Sequence, residues 1–416
     1  MCSYSFNIFK VIHTTFLSKF ATNVVVILTF APMQFTLQLT LTLMKKSLLF
    51  GLIVSFTFFA CSTDFDLTSD WKEIPVVYGL IDQSEDVQYF RINKAFLGDQ
   101  DALVSASIAD SLYFPEEMDV KLKAYKIERD NSGDPEFDPQ GNTILAGNVV
   151  TTYNLERVSG YDEGLDKEEG TFQDDPFYVY KFDQFNQDGG DQFAYILEFE
   201  TPTGSSISAK TQVINDFKVL LPNPENSFSL LLDDNNSTWL IKWRSADFAE
   251  VFDVSFRFNY SEAPINEIDN RVSKSILWTP IRNFDAQTAS AGSSSNNYEK
   301  TINKADFYNF IAGRLGETSD HYRFLESIEL VFDAATKDYK DFIAINSNSN
   351  GLNSNQIKAE FSNIDGGIGL FSSRYKKTVT YASFIGRDEF ACEYAELAGL
   401  NFAPSIGQTS WPNCPE

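Results

Sequence analysis

Histidine, cysteine and positive charge are what this chain has least of. It holds two His in 416 residues, and beyond His13 only His321. A zinc hydrolase draws on several nitrogen or sulfur ligands; HExxH, CxxC and any His cluster are missing, which excludes that class. GxSxG is missing too, so His321 has no serine to serve as base. It is read as a surface-loop residue, and no catalytic residue is assigned. Four Cys over this length exclude a small disulfide-built scaffold. Against 58 Asp and Glu stand 33 Lys and Arg, a net charge of −25. Such a polyanion lacks the clustered cations that a phosphate backbone requires, which argues against a nucleic-acid partner.

Acidic residues are themselves missing from one place. Residues 1–60 contain none, only Lys10, Lys19, Lys45 and Lys46, so this segment is expected to lie outside the fold. Met44-Lys45-Lys46 is a short positive region, Ser47 to Phe59 (SLLFGLIVSFTFF) an apolar one, and Ala60-Cys61 follows. That three-part order is a secretory signal at 44–60, too short for a comfortable membrane span. Residues 1–43 are then expected to be upstream translation ahead of the true start at Met44. The alternative is a first membrane segment around Val24 to Ala31, a short run stopped by Pro32.

Phe58-Phe59-Ala60-Cys61 resembles a relaxed bacterial lipobox, with Phe where Leu is usual. The resemblance implies that Cys61 becomes the acylated first residue. Each buried CH2 of an acyl chain contributes about 0.8 kcal/mol, so two or three chains anchor stably. The other reading is an ordinary signal with an incidental Cys. Residues 61–70 read as a linker, and Ser62-Thr63-Asp64-Phe65-Asp66 resembles the surface-export signal of Bacteroidota lipoproteins. In that exterior compartment Cys392 and Cys414 are expected to form a disulfide; closing a loop of that size contributes about 3 kcal/mol in the chain-entropy model. Two buried free thiols are the alternative. Asp110-Ser111-Leu112 resembles a Bacteroidota O-glycosylation acceptor, with Ser111 the modified residue.

The rest reads as strands and turns. Aromatics make up 15%, with 38 Phe and 18 Tyr, which favours strands. About 150 residues per domain predicts two domains. Ile74 to Ile81 and Val87 to Phe96 predict a hairpin or two neighbouring strands; Phe193 to Glu200 and Ile207 to Val213 predict a second hairpin about Pro202-Thr203-Gly204. Val120 to Ala124 alternates with Lys121 and Lys123 toward water. Asp130 to Asn142 and Asp162 to Pro176 are loops, and Pro222-Asn223-Pro224 marks a boundary. Beyond it Phe228 to Leu232 and Trp239 to Trp243 flank a turn, and Val251 to Tyr260 turns Val254, Phe256 and Phe258 one way. Trp243, Ala249, then Phe252-x-Val254-x-Phe256-x-Phe258-x-Tyr260 resembles strands B and C of fibronectin type III modules over some 25 residues. Two helices are predicted: one capped by Asn303, with Phe307, Phe310 and Ile311 on one face, stopping at Gly313, and one capped by Asp388 with Phe390, Tyr394 and Leu397.

The expected architecture is therefore mainly β: a sandwich domain over 71–221, a fibronectin-like sandwich with a helical insertion over 222–380, and a C-terminal helix and tail over 381–416. The order of Cys61, Val76-Val77-Tyr78-Gly79-Leu80, Tyr195-x-Leu197, Gly204, Ser208-Ala209-Lys210-Thr211 and Asn363-Ile364-Asp365-Gly366-Gly367-Ile368-Gly369-Leu370-Phe371 resembles a Bacteroidota surface lipoprotein family, a domain of unknown function. That resemblance implies an outer-membrane location, an N-terminal β-sandwich and association with TonB-dependent receptors; it implies no catalytic residue. The glycine string predicts a tight turn into a buried strand holding Leu370 and Phe371; the functional alternative is a ligand or partner strand against that backbone.

No cofactor is expected, calcium being the one candidate. Asp183, Asp188 and Asp191 concentrate oxygen ligands in turn-forming sequence without EF-hand spacing, and plain solvated loops are the alternative. The functional expectation is a lipid-anchored, non-enzymatic surface module binding a glycan or a protein partner such as a TonB-dependent transporter. The rivals are a glycan-active hydrolase using two carboxylates and a purely structural envelope protein.

Overall fold

A computed structural model describes residues 74–403, with 96–101, 168, 169, 171, 184–192, 233–236, 287–295, 348–360 and 396–398 set aside. The expected first hairpin is β1 (Ile74–Asp82) with β2 (Gln88–Ala95), Val77 opposite Ile92 and Gly79 opposite Phe90. In β3 (Val120–Ile127) Val120, Leu122 and Ala124 are buried while Lys121 and Lys123 turn outward to Asp119 and Glu198. After β4 (Leu145–Ser159) and β5 (Tyr178–Phe182) comes the second hairpin, β6 (Phe193–Glu200) with β7 (Ser206–Gln212). Strands β8 (Lys218–Leu221), β9 (Phe228–Ser229), β10 (Thr238–Arg244), β11 (Val251–Pro264), β12 (Val272–Asp285) and β13 (Asn297–Asn303) follow. The chain continues through β14 (His321–Ala335), β15 (Ile364–Asp365), β16 (Ile368–Tyr381) and β17 (Phe384–Ile385).

The fold is mainly β. One mixed sheet runs β12-β11-β14-β16-β1-β2-β5-β4-β3-β6-β7-β15; β13-β10-β8 and β17-β9 form smaller sheets. Pairing is antiparallel except for β1 with β16 and β9 with β17. Residues 364–381 touch two distant strands of the long sheet, because β15 pairs with β7 and β16 pairs with β1. The glycine string makes this crossing. A Cβ on Gly366 would lie 2.5 Å from the Ser206 carbonyl oxygen, one on Gly367 2.8 Å from that of Pro75, and one on Gly369 1.9 Å from that of Val77. Gly369 also holds φ at 125°, closed to other residues. The turn then feeds Leu370 and Phe371 into the core, as expected, and the backbone lying against it is the chain's own β1. Asn363 completes the turn: its side chain accepts from the Phe371 N–H at 2.9 Å and donates to the Phe371 carbonyl at 2.6 Å.

Two large hydrophobic cores result, with a small third cluster of Ala263, Phe324 and Ala403. Val77, Phe90, Leu122, Tyr195, Leu197 and Phe371 belong to one. The other lies between β8-β10-β13 and β11-β14-β16 and is dense in rings, Trp239 stacking on Phe256 at 5.3 Å and Trp243 packing on Phe252, Phe284 and Phe332 within 5.7 Å. Val254, Phe256 and Phe258 all point into it and are fully buried.

Local differences from expectation have local causes. Asn303 caps the helix Lys304–Leu315 by accepting from the Ala305 N–H at 2.9 Å, but the helix runs past Gly313 and ends at Gly316, which takes φ 67°. A left-handed glycine ends a helix; Gly313 stays helical because nothing requires otherwise. The second helix is entered through left-handed Gly386, not Asp388, and after Arg387–Glu389 widens into a π-helical turn over Phe390–Ala395. Phe228 to Leu232 is not a full strand paired across a turn with Trp239 to Trp243: only Phe228–Ser229 is extended, against β17. Short helices at Ala102–Ala106, Ala109–Leu112 and Lys337–Ser347 complete the described elements.

Candidate functional site

Several expected site residues lie outside the described residues: Cys61, Cys414, Asp188 and Asp191. Asp183 is exposed just after β5, and among the described residues no group of three or more His, Cys, Asp or Glu could hold a metal ion. Cys392 is half-buried in the π-helical turn and disulfide-bonded. Ser111 is half-buried in the helix Ala109–Leu112, with its N–H donated to the Ile108 carbonyl. His321 opens β14 at the surface, its Nδ1 2.9 Å from Asp320, whose carboxylate also accepts from Thr318. Among the described residues no helix is long and apolar enough to cross a membrane.

The cavity that stands out lies at the edge of the second core. A groove of about 530 Å³ runs between β12 and β13, lined among others by Arg282, Asn283, Phe284, Asp285, Lys300 and Thr301. Among the described residues both strands are edges, β12 pairing with β11 alone and β13 with β10 alone. The groove exists because β12 kinks. Its ladder with β11 slips between Phe252 and Val254 and again between Val254 and Phe256. Asn283 takes φ 50°, which Asn tolerates better than most residues, and donates its N–H at 2.6 Å to the Asp253 carboxylate in place of a ladder bond.

The groove carries two cations, Arg282 and Lys300, in a strongly acidic chain. Lys300 Nζ sits 5.3 Å above the Phe284 ring and Arg282 is exposed, whereas the Asp285 carboxylate is paired with Lys340 at 3.0 Å. Asp285 is held by Lys340 and Asp253 by the Asn283 N–H, so Arg282 and Lys300 are the groups that would meet a negatively charged partner. The outward face beside the groove is a polar ladder: Arg257 meets Glu329 at 3.0 Å, Asn259 bonds Ser327 and Glu329, and Ser255 bonds Thr279. Asp253 and Asp333 sit opposite each other across β11 and β14. Loss of hydration raises the Asp333 carboxyl above its ordinary value, Lys376 and Arg374 pull it down, and Asp253 and Asp82 push it up again. Asp253 is already engaged by Asn283, so the pair does not present two free carboxyls flanking a cleft.

Sequence reasoning missed the groove because it missed β12. Pro280 inside Val272–Asp285 speaks against a central strand but is allowed on an edge strand; that was the available signal.

No protein-family model and no curated protein matches the chain. A solved structure described as "Structural insight into host cell surface retention of a 1.5-MDa bacterial ice-binding adhesin" is similar at 9% identity over 76% of this chain and 66% of that chain, with a TM-score of 0.14. That likeness carries no argument about fold or function.

Proposed function

We propose that the protein is a non-enzymatic outer-membrane lipoprotein, anchored through Cys61, that serves as an accessory module to a TonB-dependent transporter. The observation that carries the binding role is the cationic groove between the open edges β12 and β13. Edge strands with unpaired backbone groups accept an extended segment of a partner, and Arg282 and Lys300 favour one that carries carboxylates. The anchor and compartment rest on the signal-like order from Met44 to Cys61.

On this reading residues 71–221 and 222–380 are two sandwich domains, the second fibronectin-like. Supporting it, the two strands whose sequence resembles strands B and C, β10 and β11, fall in different sheets and share one core, as strands B and C do in such sandwiches.

The test has two arms. Fatty-acid labelling is expected to mark the wild-type chain and not Cys61→Ala; an unmarked wild type removes the anchor. Cross-linking in intact cells is expected to join the wild type to an outer-membrane transporter and to lose that product in the double variant Arg282→Glu, Lys300→Glu. An undiminished product would move the partner surface elsewhere.

A further inference from the structure

The two walls of the groove between β12 and β13 are not equivalent as places for a partner strand. On the β13 side the backbone is set for a ladder. One step beyond either end of the β10–β13 register, the Lys304 N–H donates to the Ser237 carbonyl at 3.0 Å and the Ser245 N–H to the Asn296 carbonyl at 2.7 Å. Both are bonds between directly opposed residues, and in an antiparallel ladder such residues alternate with ones whose backbone groups point the other way. The register from Asn297 to Asn303 has no slip. Tyr298, Lys300 and Ile302 therefore bond to β10, and the N–H and C=O of Glu299 and Thr301 point to the free edge. On the β12 side Pro280 has no N–H, the Asn283 N–H is spent on Asp253, and the ladder with β11 slips twice. β12 supplies a wall instead: Ile281, Phe284 and the exposed Arg282.

Side chains alternate with the backbone. Tyr298 and Ile302 are buried on the inner side of β13, and Lys300 between them is exposed, its Nζ over the Phe284 ring. Glu299 and Thr301 turn outward, and Lys242 already holds Glu299 at 3.2 Å. A strand that exchanges backbone bonds with Glu299 and Thr301 places the residue between those two bonds opposite Lys300. The side chain of that residue enters the groove, between Lys300 on one wall and Arg282 on the other. A cation there is repelled and a carboxylate attracted. The next inward positions on either side fall beside Tyr298 and Ile302, over an apolar floor that includes Ile281 and Phe284.

We infer that the segment taken up by the groove is an added strand, antiparallel to β13, with the pattern apolar-x-acidic-x-apolar and its acidic side chain opposite Lys300. The inference rests on the groove being the partner site and not on the partner being a transporter. Antiparallel pairing is the more stable of the two directions, and the segment runs along β12 while making its ladder with β13.

The test titrates the full-length protein in detergent into the peptide Thr-Val-Thr-Glu-Thr-Val-Thr, labelled at its amino terminus and amidated, and reads fluorescence anisotropy. Saturable binding is expected, weakened about fivefold when the peptide Glu is replaced by Gln. Moving the acid one place, in Thr-Val-Glu-Thr-Thr-Val-Thr, turns it to the other face of the strand and is expected to cost as much. Lys300→Gln is expected to weaken the Glu peptide about fivefold and to leave the Gln peptide unchanged. Thr301→Pro removes a donor only from the free edge, where edge strands admit Pro, and is expected to abolish binding. Should that variant fail to fold, N-methylation of the two Thr that flank the peptide Glu removes bonds of the same ladder from the other side, with the same loss expected. Equal binding of the two acid positions, or indifference to Lys300→Gln, overturns the pattern; binding that survives N-methylation overturns the added strand; no binding by any of the peptides overturns both. In that last case a cellular cross-link that still depends on Arg282 and Lys300 would keep the groove as a partner site with a different occupant. Conversely, Lys300-dependent peptide binding without a transporter cross-link would keep the strand and remove the transporter.

Discussion

The long sheet is finished in two different ways. Where β16 reaches β1, the junction is closed by a glycine string so tightly packed that side-chain atoms are excluded, and Leu370 and Phe371 run straight into a core. Among the described residues the sheet stops at β12: fourteen residues, half of them exposed, with Val272 and Leu277 more than half exposed and a kink over the groove. Closure needs backbone approach, which fixes residue identity; an open edge needs only ladder bonds on one side and charge toward water, which many sequences supply. The closed junction is thus sensitive to single atoms and the open edge tolerant of them.

The sharpest way to break that contrast is at Gly369. Gly369→Ala places a methyl 1.9 Å from the Val77 oxygen at φ 125°, and a loss of more than about 4 kcal/mol is expected in urea unfolding. Gly313→Ala is its control: nothing lies within 4 Å of a Cβ there and the residue is helical, so a gain of about 0.5–1 kcal/mol is expected. A tolerated Gly369→Ala would mean that β1 and β16 do not pair as described. Next in size is Trp243→Ala, in the ring-dense core behind the open edge. The side chain is fully buried against Phe252, Phe284, Tyr298 and Phe332, and truncation is expected to cost about 3–5 kcal/mol. A cost below about 1 kcal/mol would show that the tolerance of the edge extends into its core.

The same contrast explains what could be read in advance. Hairpins β1-β2 and β6-β7, the alternation about Lys121 and Lys123, and the inward stripe Val254, Phe256, Phe258 depend on residues near in sequence, and their period is visible there. The glycine string was legible as a turn into a buried strand because only glycine satisfies such backbone. That β1 is the strand lying against it was not legible, since Val77 and Gly369 are brought together by the whole intervening chain. The groove between β12 and β13 was hidden for the same reason. Arg282 and Lys300 sit on edges of different sheets. Surface cations become a site only through such juxtaposition, and the overall charge of −25 gave no local hint of it.

A smaller effect should appear with pH where the open edge is tied down. Glu262 of β11 holds Lys274 of β12 and, at 2.8 Å, buried Arg323 of β14, which also donates to the Gly316 and Leu400 carbonyls. Burial raises the Glu262 carboxyl, but hydrogen bonds from Lys274 and Arg323 outweigh it and leave the pKa below the ordinary 4.5. A depressed folded-state pKa contributes stability that is present above the unfolded value and lost as pH falls through the folded one. Tm of the wild type is therefore expected to fall below about pH 4.5 more steeply than that of Glu262→Gln. Parallel curves would show that the clasp carries no pH-dependent stability.

The smallest effect expected is the most telling about the edge itself. Leu277 is 52% exposed on β12 and pairs only inward, with Arg257 of β11. Leu277→Lys removes little buried apolar area and adds a charge of the kind that edge strands ordinarily carry; its stability should stay within about 0.5 kcal/mol of the wild type. A partner strand laid along β12 would instead bury Leu277, so the same substitution should weaken capture of that partner while leaving the isolated protein unmoved. If Leu277→Lys destabilises the isolated chain by more than about 1.5 kcal/mol, something in the chain already covers this edge. The groove would then be a filled seam and could not be the place where a partner adds.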